Sequence, residues 1–217
     1  MVGLGQVRGD FSRYAGTQAL LVAPDTADAF KIVYLSPPVA GFRAGISWAP
    51  KSRRNMDEPN PRNRTILENT IEAGANYQTP VGEWVLGVSG GYVYGRAAVE
   101  TERQDLKAWN IGIDARRGPL RIGGSYVDRG DSNRRNAGFN QREISGGVAW
   151  VTPEWSVSAS AARSTATLQN NQTYGVGGTY RLTRNIQLRA DVVHFREQRG
   201  IARTNGVVGL MELALLF

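Results

Sequence analysis

The 217-residue chain has no cysteine, a single histidine and only three methionines. Without cysteine there is no disulfide framework and no thiolate ligand for a metal. His194 stands alone, so a two-histidine metal site is excluded too. No run approaches the roughly 18 consecutive apolar residues of a transmembrane helix. Apolar residues at helical spacing are equally scarce, and no long helix is expected. The opening Met1-Val2-Gly3-Leu4-Gly5 has neither the charged stretch nor the apolar core of a secretory signal, so an exported chain is expected to be mature or truncated here. Acid is in short supply. Lys and Arg total 26 against 19 Asp and Glu, a formal charge of +7. Such an excess fits nucleic acid, an anionic membrane surface or an anion pathway, and does not choose among them.

What the chain has in abundance is alternation. In Phe42-Arg43-Ala44-Gly45-Ile46-Ser47-Trp48 the odd members are apolar and the even ones polar or small. Neighbouring side chains of a strand point to opposite faces, so this segment is apolar on one side only. The pattern returns about eleven times after residue 29. Examples are Ile71 to Tyr77, Trp109 to Ala115, Leu120 to Tyr126, Ile144 to Trp150, Trp155 to Ala161, Tyr174 to Tyr180, Ile186 to Val192 and Val207 to Phe217. Segments of about 8–12 residues suit tilted membrane strands and are long beside the 5–6 of an average globular strand.

The connections alternate as well. Short ones fall at 36–41, 79–82, 118–119, 152–154 and 183–185, with proline or Asn where turns use them. Long polar ones are expected at about 51–66, 96–106, 128–141, 164–172 and 197–205. Tight turns at one end and long loops at the other are the signature of an outer-membrane barrel. Aromatic residues such as Tyr34, Trp48, Tyr77, Trp109, Tyr126, Trp150, Trp155, Tyr174 and Tyr180 stand near strand ends on the apolar side. That is where amphipathic rings meet the membrane–water boundary. The fold class expected is therefore all-β: an antiparallel transmembrane β-barrel, one domain over 1–217, with about 12 strands counting one at 2–8.

The segment Asp28 to Phe42, with Tyr34-Leu35-Ser36-Pro37-Pro38 leading through Gly41-Phe42 into the next strand, resembles the general bacterial porins of Gram-negative outer membranes. The terminal Phe217 is similar to the carboxyl-terminal aromatic that barrel assembly machinery reads in that family. The resemblance implies a barrel of about sixteen strands, of which roughly the first four are missing here. It also implies a water-filled channel for passive diffusion of small hydrophilic solutes and ions, a homotrimer, and contact with outer-membrane lipid and lipopolysaccharide. It places Asp10 to Asp28 at the position of a loop folded into the lumen. Where such porins often carry Arg before the Ser-Pro turn, this chain has Leu35.

If the apolar faces meet lipid, the opposite faces line water. Mid-strand Arg costs about 2–4 kcal/mol against lipid and little against a lumen, which assigns the faces. The basic pore-lining candidates are Lys31, Arg43, Arg121 and Arg189. The acidic ones are Glu72 and Asp114 on strands, with Asp10, Asp25 and Asp28 in the constriction loop that the resemblance implies, and the net charge points to weak anion preference. Each of these charges could equally be an ordinary solvated one. Catalysis is not expected, because His194 has no second histidine and no serine two residues away. No cofactor is expected either. Nucleic-acid binding is disfavoured, since Arg53-Arg54 and Arg134-Arg135 lack a stacking platform. Two alternatives stay open: a soluble β-sandwich or carbohydrate-binding module, whose greasy faces would press together, and a barrel with a purely structural role.

Overall fold

The computed structural model describes residues 29–53, 65–100, 103–132, 138 and 140–215. The strand expected at 2–8, the segment Asp10 to Asp28 with its three aspartates, and Phe217 lie outside these residues. Eleven strands follow in order: β1 (Ile32–Leu35), β2 (Phe42–Arg53), β3 (Thr65–Val81), β4 (Trp84–Ala97), β5 (Leu106–Arg117), β6 (Leu120–Gly130), β7 (Gln141–Val151), β8 (Trp155–Ala166), β9 (Gln169–Arg181), β10 (Ile186–Arg199) and β11 (Ala202–Leu215). Each pairs antiparallel with the next in a single sheet, as the alternation after residue 29 predicts. Among the described residues β1 and β11 are not paired with each other.

The register keeps like with like. Ile111 is level with Gly90 and Tyr126, while its neighbour Asn110 is level with Gly91 and Val127. One face of the sheet is thus apolar along its whole width. It is also bare: Ile46 is 50% exposed, Ile113 64%, Val176 57% and Leu213 62%. Leaving a Val, Leu or Ile in water forfeits roughly 1.5–3 kcal/mol of burial, so a face this wide needs an apolar surrounding. A sandwich would have pressed it against a second sheet, and the described residues form only one.

Aromatics close this face at both ends. Phe42, Tyr77, Trp150, Trp155 and Tyr180 stand toward the short turns, while Trp48, Tyr92, Trp109, Tyr126 and Tyr174 stand toward the other end. Trp109 and Tyr126 meet with ring centroids 5.2 Å apart. At the turn end Arg117 pairs with Glu83 and lies 6.0 Å from the Trp84 ring centroid, a cation held in the boundary by an acid and a π-face.

Two connections differ from expectation. The stretches 164–172 and 197–205 are not long loops. β8 and β9 run through the first and turn at Thr167-Leu168, and β10 and β11 run through the second and turn at Gly200-Ile201. The apolar face changes character there, with Arg163 level with Gln172 and Arg196 level with Asn205. Strands of 12–14 residues outrun the 9–11 needed to cross a bilayer, so their outer ends are free to be polar on both sides. β3, at 17 residues, also carries a bulge at Asn69, whose φ of 50° shifts the register between Glu68 and Ile71.

On the opposite face glycine admits close neighbours. A Cβ on Gly147 would lie 2.6 Å from the Ala159 carbonyl oxygen and 3.1 Å from the Ser160 Cα, so β8 backbone would have to move. A Cβ on Gly177 would instead meet chiefly the end of the Asp191 side chain, with the Ala190 carbonyl oxygen at 3.3 Å. Gly147→Ala is therefore expected to destabilise the folded protein by about 1–3 kcal/mol, and Gly177→Ala by less. Urea unfolding in lipid vesicles measures the difference, and equal costs would contradict it.

Candidate functional site

The polar face is built by the same alternation read from its other side. A single register line crosses it from Arg43 on β2 through Asn76, Ser89, Gly112 and Ser125 to Ser145 on β7. The Ser125 and Ser145 hydroxyls share a hydrogen bond of 2.7 Å. Small and hydroxylic residues dominate the line, which leaves space and wets it.

Five of the candidates, Arg43, Glu72, Asp114, Arg121 and Arg189, stand on strands at this face, and Lys31 reaches it from the residue just before β1. The Glu72 carboxylate accepts a hydrogen bond from the Ser47 hydroxyl at 2.7 Å and pairs with the Lys31 ammonium at 3.6 Å. Arg189 donates to Glu212 at 3.1 Å and to the Gln187 side-chain oxygen at 3.0 Å. Arg121 turns back on its own hairpin and donates to the carbonyls of Gly118 at 2.6 Å and Leu120 at 3.1 Å. Asp114 leans over Gly87, its register partner. Arg43 is level with Asn76.

The structure does not gather the four basic residues into one cluster. Arg43 on β2 and Arg121 on β6 are four strands apart, about 20 Å along the sheet. Lys31 and Arg189 are each held by an acid. Leu35, where an arginine was looked for, is level with Gly45 on this face, and its side chain fills the space over that glycine.

Several charged residues of this face were missed, among them Arg116, Glu143 and Glu197. Arg116 lies directly opposite Arg121, and its guanidinium reaches the Gln78 side-chain oxygen at 3.4 Å. Glu143 and Glu197 are buried toward the long-loop ends of β7 and β10. Extending the alternation one residue past the quoted segments would have found Arg116 and Glu143, whereas Glu197 lies five residues beyond Val192. Like charges directly across a ladder destabilise it, so the Arg116–Arg121 pair requires water around it.

The charges are sorted along the strands. Arg43, Arg116, Arg121 and Arg189 all sit close to the short-turn ends. Glu72, Glu143 and Glu197 lie well toward the other end and Asp191 nearer mid-strand, while Asp114 and Glu212 stand as close to the short-turn ends as Arg189 does. An apolar patch of Leu67, Val93, Leu106 and Ala108 covers part of the loop end of β3 to β5. His194, by contrast, is on the apolar face, level with Tyr174, the two ring centroids 6.4 Å apart. Among the described residues no group of His, Asp and Glu is arranged to hold a metal ion.

Solved structures share this sheet. A refined porin crystal structure superposes with a TM-score of 0.58 at 13% identity, covering 85% of this chain and 60% of that one. An anion-selective porin from Comamonas acidovorans gives 0.54 at 15%, covering 84% and 59%. The outer-membrane channel DcaP of Acinetobacter baumannii gives 0.58 at 11%, covering 85% and 61%. The chain thus spans about 60% of the length of these structures. No curated protein sequence matches it. The likeness fixes the architecture as an antiparallel transmembrane β-barrel, whose apolar face meets lipid and whose polar face lines the lumen. A family model described as "Gram-negative porin" matches residues 1–200, and the chain belongs to that family, whose barrels lie in the outer membrane.

Proposed function

We propose that the chain forms the wall of a water-filled channel for passive diffusion of small polar solutes and ions. The observation that carries this reading is the register line from Arg43 to Ser145, polar and small across six strands while the reverse side is apolar. Arg43, Arg116 and Arg121, close to the short-turn mouth and with no acid paired to them among the described residues, give it weak anion preference. Lys31, Arg189, Glu72 and Asp114 line the same pore.

In this reading residues 10–28 fold into the lumen, setting Asp10, Asp25 and Asp28 against the basic wall. The whole of 1–217 acts as one barrel domain. Phe217 is the signal to the barrel assembly machinery, and the working unit is a homotrimer in contact with lipopolysaccharide. His194 sits at the lipid boundary beside Tyr174, and no catalysis is assigned to it. Planar bilayers test the proposal: refolded protein is expected to give ohmic single-channel steps whose reversal potential in a salt gradient lies slightly to the anion side. Silent bilayers at high load of folded protein would contradict it.

A further inference from the structure

Lys31 and Arg189 each meet an acid on the polar face. Asp114 on β5 meets no cation among the described residues, and its carboxylate accepts no hydrogen bond from them. Yet two guanidinium groups are close by. Arg116 stands two residues further along the same strand, about 7 Å away at Cα, and Arg121 on β6 lies directly opposite Arg116. Each arginine is engaged elsewhere with neutral acceptors. The Arg116 guanidinium donates to the Gln78 side-chain oxygen at 3.4 Å, and that of Arg121 to the carbonyls of Gly118 at 2.6 Å and Leu120 at 3.1 Å. Opposite charges stand side by side here without neutralising one another.

The acid is positioned as well. Gln78, Gly87 and Asp114 are level with one another on β3, β4 and β5. Gly87 has no side chain, and the Asp114 carboxyl group lies over it, where a Cβ on residue 87 would come within 2.8 Å of the carboxyl carbon. Arg116 reaches in the same direction, across β4 to Gln78. The niche above β4 therefore has Asp114 on one side, Gln78 with the Arg116 guanidinium on the other, and Gly87 as its floor. Two strand spacings separate Gln78 from Asp114, about 10 Å between Cα atoms, which leaves room for a few atoms of solute between the side chains. Gln78 is exposed and Asp114 and Arg116 are half-buried, so the niche opens to the lumen.

We propose that Asp114, Arg116 and Gln78 form a luminal subsite for zwitterionic α-amino acids, with Asp114 accepting from the ammonium group and Arg116 donating to the carboxylate. The inference rests on the channel reading above and names a solute class for it. Charge complementarity decides the occupant. A simple anion attracted by Arg116 is repelled by Asp114, and a simple cation meets the reverse, so each gains on one side and loses on the other. An α-amino acid carries both charges a few ångströms apart and satisfies both partners with charge-assisted hydrogen bonds. Arg121 adds positive potential on the carboxylate side of the niche. Gln78 and Gly87 keep acid and base from closing on each other, so the site is set before the solute arrives.

The test is saturation-transfer NMR on the detergent-folded protein with two probes of one molecular formula, zwitterionic alanine and its neutral isomer lactamide. Alanine is expected to receive about threefold or more the saturation of lactamide. Asp114→Asn and Arg116→Gln, each removing one charge, are expected to bring the ratio to about one. Gly87→Ala is expected to do the same by pushing the carboxylate aside with every charge kept, whereas His194→Gln at the lipid boundary retains the wild-type ratio. Folding of each variant is read from heat-resistant migration in gels, and the near-isosteric Asp114→Asn decides the matter if Gly87→Ala does not fold. Conductance is recorded separately, so silent bilayers count against the channel while the NMR ratio alone judges the subsite. Equal saturation of the two isomers would overturn the proposal, and so would a wild-type ratio that persists in Asp114→Asn.

Discussion

Ile111→Arg is expected to destabilise the folded barrel by about 2–4 kcal/mol in urea titrations from lipid vesicles, whereas Asn110→Arg, one residue away, costs under about 1 kcal/mol. Ile111 is mid-strand on the lipid face, level with Gly90 and Tyr126, and is 46% exposed in the isolated chain. Among the described residues nothing covers the exposed side of Ile111 to crowd an arginine there. Its cost would come from the solvent, because hydrocarbon cannot hydrate a guanidinium and a mid-strand position is too far from either boundary for the side chain to reach it. Asn110 points the other way, toward Gly91 and Val127, where an arginine finds water. In a water-soluble sheet the two costs would be similar and small, so the difference between them reports the solvent on each side.

The second large effect concerns the turn-end arginines. Arg43→Glu combined with Arg121→Glu is expected to move the reversal potential in a salt gradient from the anion side to the cation side. Each substitution removes a positive charge from the lumen wall and adds a negative one. Arg121 matters more than its hydrogen bonds to Gly118 and Leu120 imply, because Arg116 stands directly opposite and the pair forms the densest positive charge on the face. Arg121→Glu turns that pair into a salt bridge and cancels its field outright. Screening gives the check. At 0.1 M salt the Debye length is about 10 Å and the shift is large, while at 1 M it is about 3 Å and most of the shift disappears. A shift that is the same at both concentrations would indicate altered pore geometry instead of altered charge.

The sorting of charge explains why the formal +7 is a poor guide to the lumen. Arg96, Lys107, Arg142, Arg163 and Arg196 stand on the lipid side at headgroup height. Lys31, Arg189 and Arg199 are paired with Glu72, Glu212 and Glu197. What the pore receives is a handful of arginines near the short turns, with Glu72, Glu143 and Glu197 nearer the loops.

Much of the architecture was legible in the sequence because one physical rule governs every strand. Lipid on one side and water on the other force period two, so β2, β5, β7 and β9 could be read from Phe42, Trp109, Ile144 and Tyr174 onward. The rule stops at the membrane surface, and so did the reading. Arg163, Gln172, Arg196 and Asn205 break the alternation while staying in strands, and 164–172 and 197–205 therefore looked like loops. Headgroups and water accept polar side chains on either face, and sequence alone does not show whether the hydrogen-bonded ladder continues. The bulge at Asn69 was illegible for a related reason: it depends on a single positive φ that Asn tolerates but does not dictate. The site was half legible. Alternation put Lys31, Arg43, Glu72, Asp114, Arg121 and Arg189 on one face, but which of them would neutralise one another depends on register between strands. The meeting of Arg189 with Glu212 follows from pairing β10 with β11, which no local pattern encodes.

The absence of cysteine makes the central claim directly measurable. Single cysteines at Ser156, Ser158 and Ser160, and at Val157, Ala159 and Ala161, place a unique thiol at six consecutive positions of β8. In the bare chain the second set is the more exposed. In lipid vesicles the order is expected to reverse: a charged, membrane-impermeant maleimide labels the serine positions quickly and leaves 157, 159 and 161 almost unlabelled. Equal labelling along the strand, or faster labelling at 157, 159 and 161, would contradict a wall with hydrocarbon on one side and water on the other.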